Sequence, residues 1–268
     1  MGSSTELYAI SDLHVDRPPN REAVAALPAR PRDWLIVAGD VSASVPRFAA
    51  TFQELSRRFS RVLWTPGNHD LWSEPGGSVR GEDKYFALVE VCRELGVLTP
   101  EDPYEVWPGD SGVRIAPIFT LYDYSFRPEH IPVEVAVAWA AEEGIQAADE
   151  RFLQPYPYRS RAEWCRTRVA YTERRLAGIE EKLILAGHFP LRYDLVRLPR
   201  IPRFSPWCGT RLTENWHTRF PAHTVIYGHL HIRGTSFRDG VRFEEVSLGY
   251  PEGWNQSLGM DAYLKRIL

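Results

Sequence analysis

The sequence predicts an α/β layered fold with a second, partly antiparallel sheet towards the C-terminus. Two observations predict it: short apolar runs that alternate with helical patterns, and a hairpin signature late in the chain. Leu7 to Ile10 leads into Ser11-Asp12, Trp34 to Ala38 into Gly39-Asp40, and Val62 to Trp64 into Gly67-Asn68-His69-Asp70. Leu183 to Ala186 likewise precedes Gly187-His188, and Val225 to Tyr227 precedes Gly228-His229. Such brief runs of Ile, Val and Leu, closed by turn residues, read as buried strands. Between them, Pro46 to Phe59, Lys84 to Leu95 and Arg168 to Lys182 repeat apolar residues at steps of three and four, the mark of a helix with one buried face. Near the C-terminus, Thr235 to Arg238 and Val241 to Leu248 flank Asp239-Gly240, a two-residue hairpin turn. Three stretches look least like core: 72–83, 122–165 and 192–222, rich in Pro, Arg and aromatic residues. The last two are expected to be cap or insert segments of a single domain over 1–268.

Composition narrows the function classes. With 44% hydrophobic and 25% charged residues the 268-residue chain can bury a sizeable core. Its 32 basic and 35 acidic residues give a net charge of −3, so no global field draws it to nucleic acid or an anionic membrane. Three widely spaced cysteines, Cys92, Cys165 and Cys208, fit neither a zinc nor a disulfide framework and point to a reducing cytoplasm. The N-terminus has no basic region leading into a signal-peptide core, and no apolar run reaches the ~18 residues of a membrane span.

Each of the five runs ends in Asp, Asn or His beside a turn. Ligands of open α/β sheets bind at the carboxyl ends of strands, so these side chains should converge although they are scattered from 12 to 231. Asp12, Asp40 and Asn68 offer oxygen; His14, His188, His229 and His231 offer nitrogen. Seven donors are too many for one catalytic ion with an open position, but suit two ions that share a carboxylate. Mixed N/O donors favour manganese, iron or zinc over magnesium or calcium, and ligand type alone does not choose among the three. Two divalent ions, two carboxylates and a bridging hydroxide leave about one positive charge, a match for a phosphate oxygen; the hydroxide is the expected nucleophile.

In that order, Asp12-Leu-His14, Gly39-Asp40, Gly67-Asn68-His69-Asp70, Gly187-His188 and Gly228-His229-Leu-His231 resemble the calcineurin-like metallophosphoesterases. The resemblance implies two stacked mixed β-sheets flanked by helices. It implies further that Asp12, His14 and His231 serve one metal, that Asn68, His188 and His229 serve the other, and that Asp40 bridges. By the same resemblance His69 is the acid that protonates the leaving oxygen, Asp70 is a residue behind the site, and manganese or iron is the favoured metal. A narrower similarity, in Phe204 to Thr210, Asn215-Trp216-His217 and Val246 to Pro251, is to an actinobacterial subgroup that includes a hydrolase removing phosphopantetheine from acyl carrier protein.

Blander readings compete at each position. A lone Gly-Asp or Gly-His pair usually only closes a turn; five in order at strand ends do not. His130, His217 and His223 lie outside the blocks and read as structural, Trp207 and Trp216 as packing, and Cys208 as an inert thiol. Arg159, Arg161, Arg166 and Arg168 read as a solvated helix face rather than a phosphate clamp. The expected enzyme is thus a metal-dependent phosphoric ester hydrolase, leaning to a small phosphodiester and with a phosphomonoesterase as the alternative. A nuclease, or a scaffold without catalysis, is less favoured, because net positive charge is missing in the one case and no ligand is missing in the other.

Overall fold

The computed structural model describes residues 5–74, 76–109 and 112–268. Nine strands form two sheets: β1 (Leu7–Ile10), β2 (Arg30–Val37), β3 (Phe59–Trp64), β4 (Val113–Pro117), β5 (Lys182–Ala186), β6 (Ala222–Tyr227), β7 (Gly234–Arg238), β8 (Val241–Glu245) and β9 (Lys265–Arg266). The first sheet has the order β3-β2-β1-β9 and the second β4-β5-β6-β8-β7. In each, the inner pairs are parallel and one edge strand, β9 or β7, is antiparallel, so both sheets are mixed.

Strand alternation decides what lies between the sheets. Leu7, Ala9, Ile36 and Leu63 point from the first sheet into one apolar cluster with Ile115, Ile184 and Ile226 of the second. Their neighbours Tyr8, Ile10, Leu35, Val37, Val62 and Leu185 point the other way into a larger cluster beneath the helices. The outcome is the expected pair of stacked sheets flanked by helices. The sheets meet at one end, where Ser11 donates its N–H to Val246 and accepts that of Leu248.

The helices are α1 (Pro18–Ala25), α2 (Val45–Arg58), α3 (Asn68–Leu71), α4 (Gly81–Glu94), α5 (Ala136–Ala141), α6 (Asp149–Phe152), α7 (Arg161–Leu176) and α8 (Trp216–Arg219). Phe48, Thr51, Phe52 and Leu55 form the buried stripe of α2 at helical spacing. The sequence places α7 about seven residues too late. Its true start is set by Ser160, whose side chain caps Glu163 N–H, and it stops before Gly178, which takes a φ of +79°. Strand β4 went unread because it ends in Pro117 without a polar cluster; a proline is tolerated there since β4 is an edge strand.

Segments 122–165 and 192–222 are short helices and turns whose aromatic residues reach the core: Tyr122, Phe126, Trp164, Trp207 and Trp216 are fully buried. The solvated-face reading of the arginines fails at Arg168. It is buried, donates to Glu101 Oε1 at 2.6 Å, and lies over the rings of Tyr85, Phe119 and Tyr171. Arg161 is also engaged, with Glu150, whereas Arg159 and Arg166 are exposed. Among the described residues no helix is long and apolar enough to cross a membrane.

Candidate metal centre

All seven donors named from the sequence come together at the carboxyl ends of the strands. Asp12 and His14 follow β1, Asp40 follows β2 and Asn68 opens α3 after β3, while His188 follows β5 and His229 and His231 follow β6. Seven described residues other than glycine have a positive φ, and five of them are Asp12, His14, Asp40, His229 and His231. Such backbone is uncommon for residues with a side chain and concentrates where a site over-determines it. The glycines act by size. A Cβ on Gly67 would sit 2.1 Å from Asp40 Oδ1, and one on Gly228 would sit 2.3 Å from Asp12 Oδ2.

Two trios result, Asp12 with His14 and His231, and Asp40 with His188 and His229, each with its ligand atoms within 4.8 Å of one another. His231 Nε2 is 3.0 Å from Asp12 Oδ1 and 3.2 Å from His14 Nε2. On the other side, His188 Nε2 is 3.2 Å from Asn68 Oδ1 and 3.3 Å from His229 Nδ1. Asp40 Oδ2 stands between them, 3.5 Å from His188 Nε2 and 3.9 Å from His14 Nε2. Atoms that share an ion at about 2.1 Å are about 3.0–3.4 Å apart, so the separations among the histidines, Asp12 and Asn68 are those of a coordination shell, and Asp40 Oδ2 stands slightly wider, facing both sides.

Electrostatics agree with that fit. Burial pushes the His14 imidazole down to about 3 and those of His69 and His229 well below the ordinary range, so their lone pairs are free. Burial, with Asp12 and Asp70 nearby, pushes the Asp40 carboxyl well up. At Asp12 burial acts in the same upward sense, but His231, His188 and His14 outweigh it and hold the carboxyl well down. His188 donates Nδ1–H to Ala38 O at 2.8 Å, and that bond turns the Nε2 lone pair into the site.

His69 lies at the mouth. Its Nε2 is 3.9 Å from Asp40 Oδ2, its ring stacks on Trp72 at 3.6 Å, and with His14 and Asp40 it forms a third group close enough to hold a cation. Asp70 turns to the backbone of the neighbouring loops. It accepts N–H groups from Asp40, Val41, Ser42 and Gly67 and the Trp64 indole, and so holds the Asp40 loop. A cleft of about 300 Å³ opens onto the site between His14, Arg17, His69, Trp72 and Tyr250.

Two residues set aside in the sequence have partners of their own. His217 pairs with Asp239, and buried Cys208 donates to the Phe204 carbonyl. Four residues around the donors had no role assigned from the sequence: Ser247, whose hydroxyl donates to Asp12, and Tyr250, stacked on His14, both within the Val246 to Pro251 stretch, and Trp72, stacked on His69, and Asp149, which accepts from Asn68.

Known proteins match this arrangement. The chain is 44% identical to the [acyl-carrier-protein] phosphodiesterase PptH of Mycobacterium tuberculosis over 263 residues, 96% of this chain and 81% of that one. The crystal structure of phosphopantetheinyl hydrolase (PptH) from the same organism superposes with a TM-score of 0.94 at 43% identity, covering 100% of this chain and 97% of that one. A family model described as calcineurin-like phosphoesterase matches residues 6–233, and its members use a dinuclear metal centre that the His and Asp groups here fit. The chain therefore belongs to the calcineurin-like phosphoesterase family and is a metal-dependent phosphoester hydrolase.

Proposed function

We propose that this chain is a phosphodiesterase that releases phosphopantetheine from acyl carrier protein in the cytoplasm, with two manganese or iron ions. The observation that carries the reaction class is the position of Asp40 Oδ2 between the two trios. The likeness to PptH, which spans nearly the whole chain including segments 122–165 and 192–222, supports the substrate. Three buried free cysteines support a reducing compartment.

In this reading Asp12, His14 and His231 hold one ion, Asn68, His188 and His229 the other, and Asp40 both. Bound ions of this kind supply a nucleophile by lowering the pKa of water from 15.7 to roughly 7, and they offset charge on the phosphate. The protein does the rest. His69 faces the cleft side of the site, where its N–H can pass a proton to the departing oxygen, and Asp70 fixes the loop from which Asp40 reaches in. Segments 122–165 and 192–222 frame the site as a cap and give a diester room for its second substituent.

The test is a substrate panel: carrier protein loaded with phosphopantetheine, a simple nitrophenyl diester and a nitrophenyl monoester. Release of phosphopantetheine at a kcat/KM well above that for the simple diester is expected. A clear preference for the monoester would replace this reading with a phosphatase.

A further inference from the structure

One buried carboxylate beside the donors has no part in the reading above. Asp149 opens α6, within the segment between β4 and β5, and is 3% exposed. Its place is fixed from behind. Arg161 donates to the main-chain carbonyls of Asp149 and Glu150 at 2.7 and 2.8 Å, and Glu150 accepts from Trp207 Nε1 at 2.8 Å. The Oδ1 of Asp149 then accepts two bonds on the side of the site, from Asn68 Nδ2 at 2.9 Å and from Trp72 Nε1 at 2.6 Å.

An asparagine amide has a donor end and an acceptor end, and only the oxygen has a lone pair for a cation. With Nδ2 held by Asp149, Asn68 Oδ1 is turned to the opposite side, where it lies 3.2 Å from His188 Nε2. The reversed amide would set oxygen against the Asp149 carboxylate and an NH₂ group towards the metal site, so it is disfavoured at both ends. The second bond works in parallel. It pins the indole of Trp72, whose ring stacks on His69 at 3.6 Å and 28°.

We propose that Asp149 is a positioning residue: one carboxylate oxygen sets which end of the Asn68 amide faces the metal site and holds Trp72 against His69. The inference rests on the two-metal reading of the site. It ties the segment between β4 and β5 to the metal centre.

The experiment uses the full chain, stripped with chelator and titrated with Co²⁺, whose visible spectrum reports each site as it fills. Asp149→Ala should weaken one of the two sites by about 10–100-fold and leave the other unmoved. Asp149→Asn keeps an oxygen that can accept both N–H groups, so it should restore the weakened site. Trp72→Phe should leave both sites intact and lower the rate on alkyl esters relative to nitrophenyl esters, because it frees only the His69 ring. Should Asp149→Ala fail to fold, Asp149→Ser, whose hydroxyl is too short to reach either N–H, carries the same expectation. Unchanged affinities in the Ala or Ser variant would overturn the inference, as would an Asn variant no better than Ala. Wild-type protein that takes up fewer than two ions would fail the two-metal reading itself and this inference with it, whereas two intact sites in Asp149→Ala would fail the inference alone.

Discussion

Asp70 accepts the backbone N–H of Asp40 at 3.1 Å, so a carboxylate that faces away from the metal site determines where the shared carboxylate stands. The same group satisfies Val41, Ser42, Gly67 and the Trp64 indole. Asp70→Ala would strand these donors in the interior, at about 1–3 kcal/mol for each unsatisfied group that water does not reach. Urea denaturation should show a loss of about 3 kcal/mol or more; a loss under about 1 kcal/mol would mean that the loop holds itself.

Asp40→Ala is expected to cost the protein more than one ion, since Oδ2 is within 4 Å of donors from both trios. Elemental analysis of the purified variant decides. A variant that keeps one full equivalent, or a wild type that is fully active with a single ion, refutes the bridge.

The role of His69 is separable from that of its neighbours. His69→Asn should retain both ions and slow hydrolysis of alkyl esters by about 10²–10⁴-fold, while nitrophenyl esters, whose leaving group departs without a proton, suffer little. His188→Ala should instead lose metal and depress both substrates together. Loss of metal from His69→Asn would make it a ligand, which its 3.9 Å separation from Asp40 allows.

Glu101 supplies a pH test remote from the metals. It accepts from Tyr85, Arg168 and Tyr171, each at 2.6 Å. Burial pushes its carboxyl up, but Arg168 with the two phenols outweighs burial and holds it below the ordinary 4.5. A folded-state pKa below the unfolded one gives stability that is complete above about 4.5 and fades as pH falls through the folded value. The stability gap between wild type and Glu101→Gln should therefore be widest near neutrality and narrow below pH 4.5. A gap independent of pH would show that the ionised form is not what the cluster stabilises.

Cys92, Cys165 and Cys208 are buried and free, and burial pushes each thiol up. None should react with a thiol reagent in the native protein, and all three should react after denaturation. A native disulfide found by mass spectrometry would contradict the cytoplasmic assignment.

What could be read from the sequence followed the rule that the chain itself obeys. Strands β1, β2, β3, β5 and β6 each end in a turn that carries a donor, so hydrophobic run and polar cluster marked element and site together. Strand β4, with no donor at its end, carried only half of that signal and was missed. The arginine face was misread because composition does not reveal a partner: Arg168 is buried through Glu101 and three aromatic rings brought from distant parts of the chain. Asp149 escaped for the same reason. Asp149 acts on Asn68 from 81 residues away, and its own neighbours in sequence say nothing of it.

Each trio draws on both sheets: Asp12 and His14 belong to the first and His231 to the second, and Asp40 belongs to the first while His188 and His229 belong to the second. An ion seated in either trio is thus a cross-link between halves of the molecule, added to the apolar packing and the hydrogen bonds, such as those of His188 to Ala38 and Ser247 to Asp12, that already join them. Unfolding has to release it, so the melting temperature should climb with free metal concentration by mass action. Metal supply would then govern how long the protein survives proteolysis as well as how fast it turns over, and a starved cell would hold less of the enzyme in addition to a slower one.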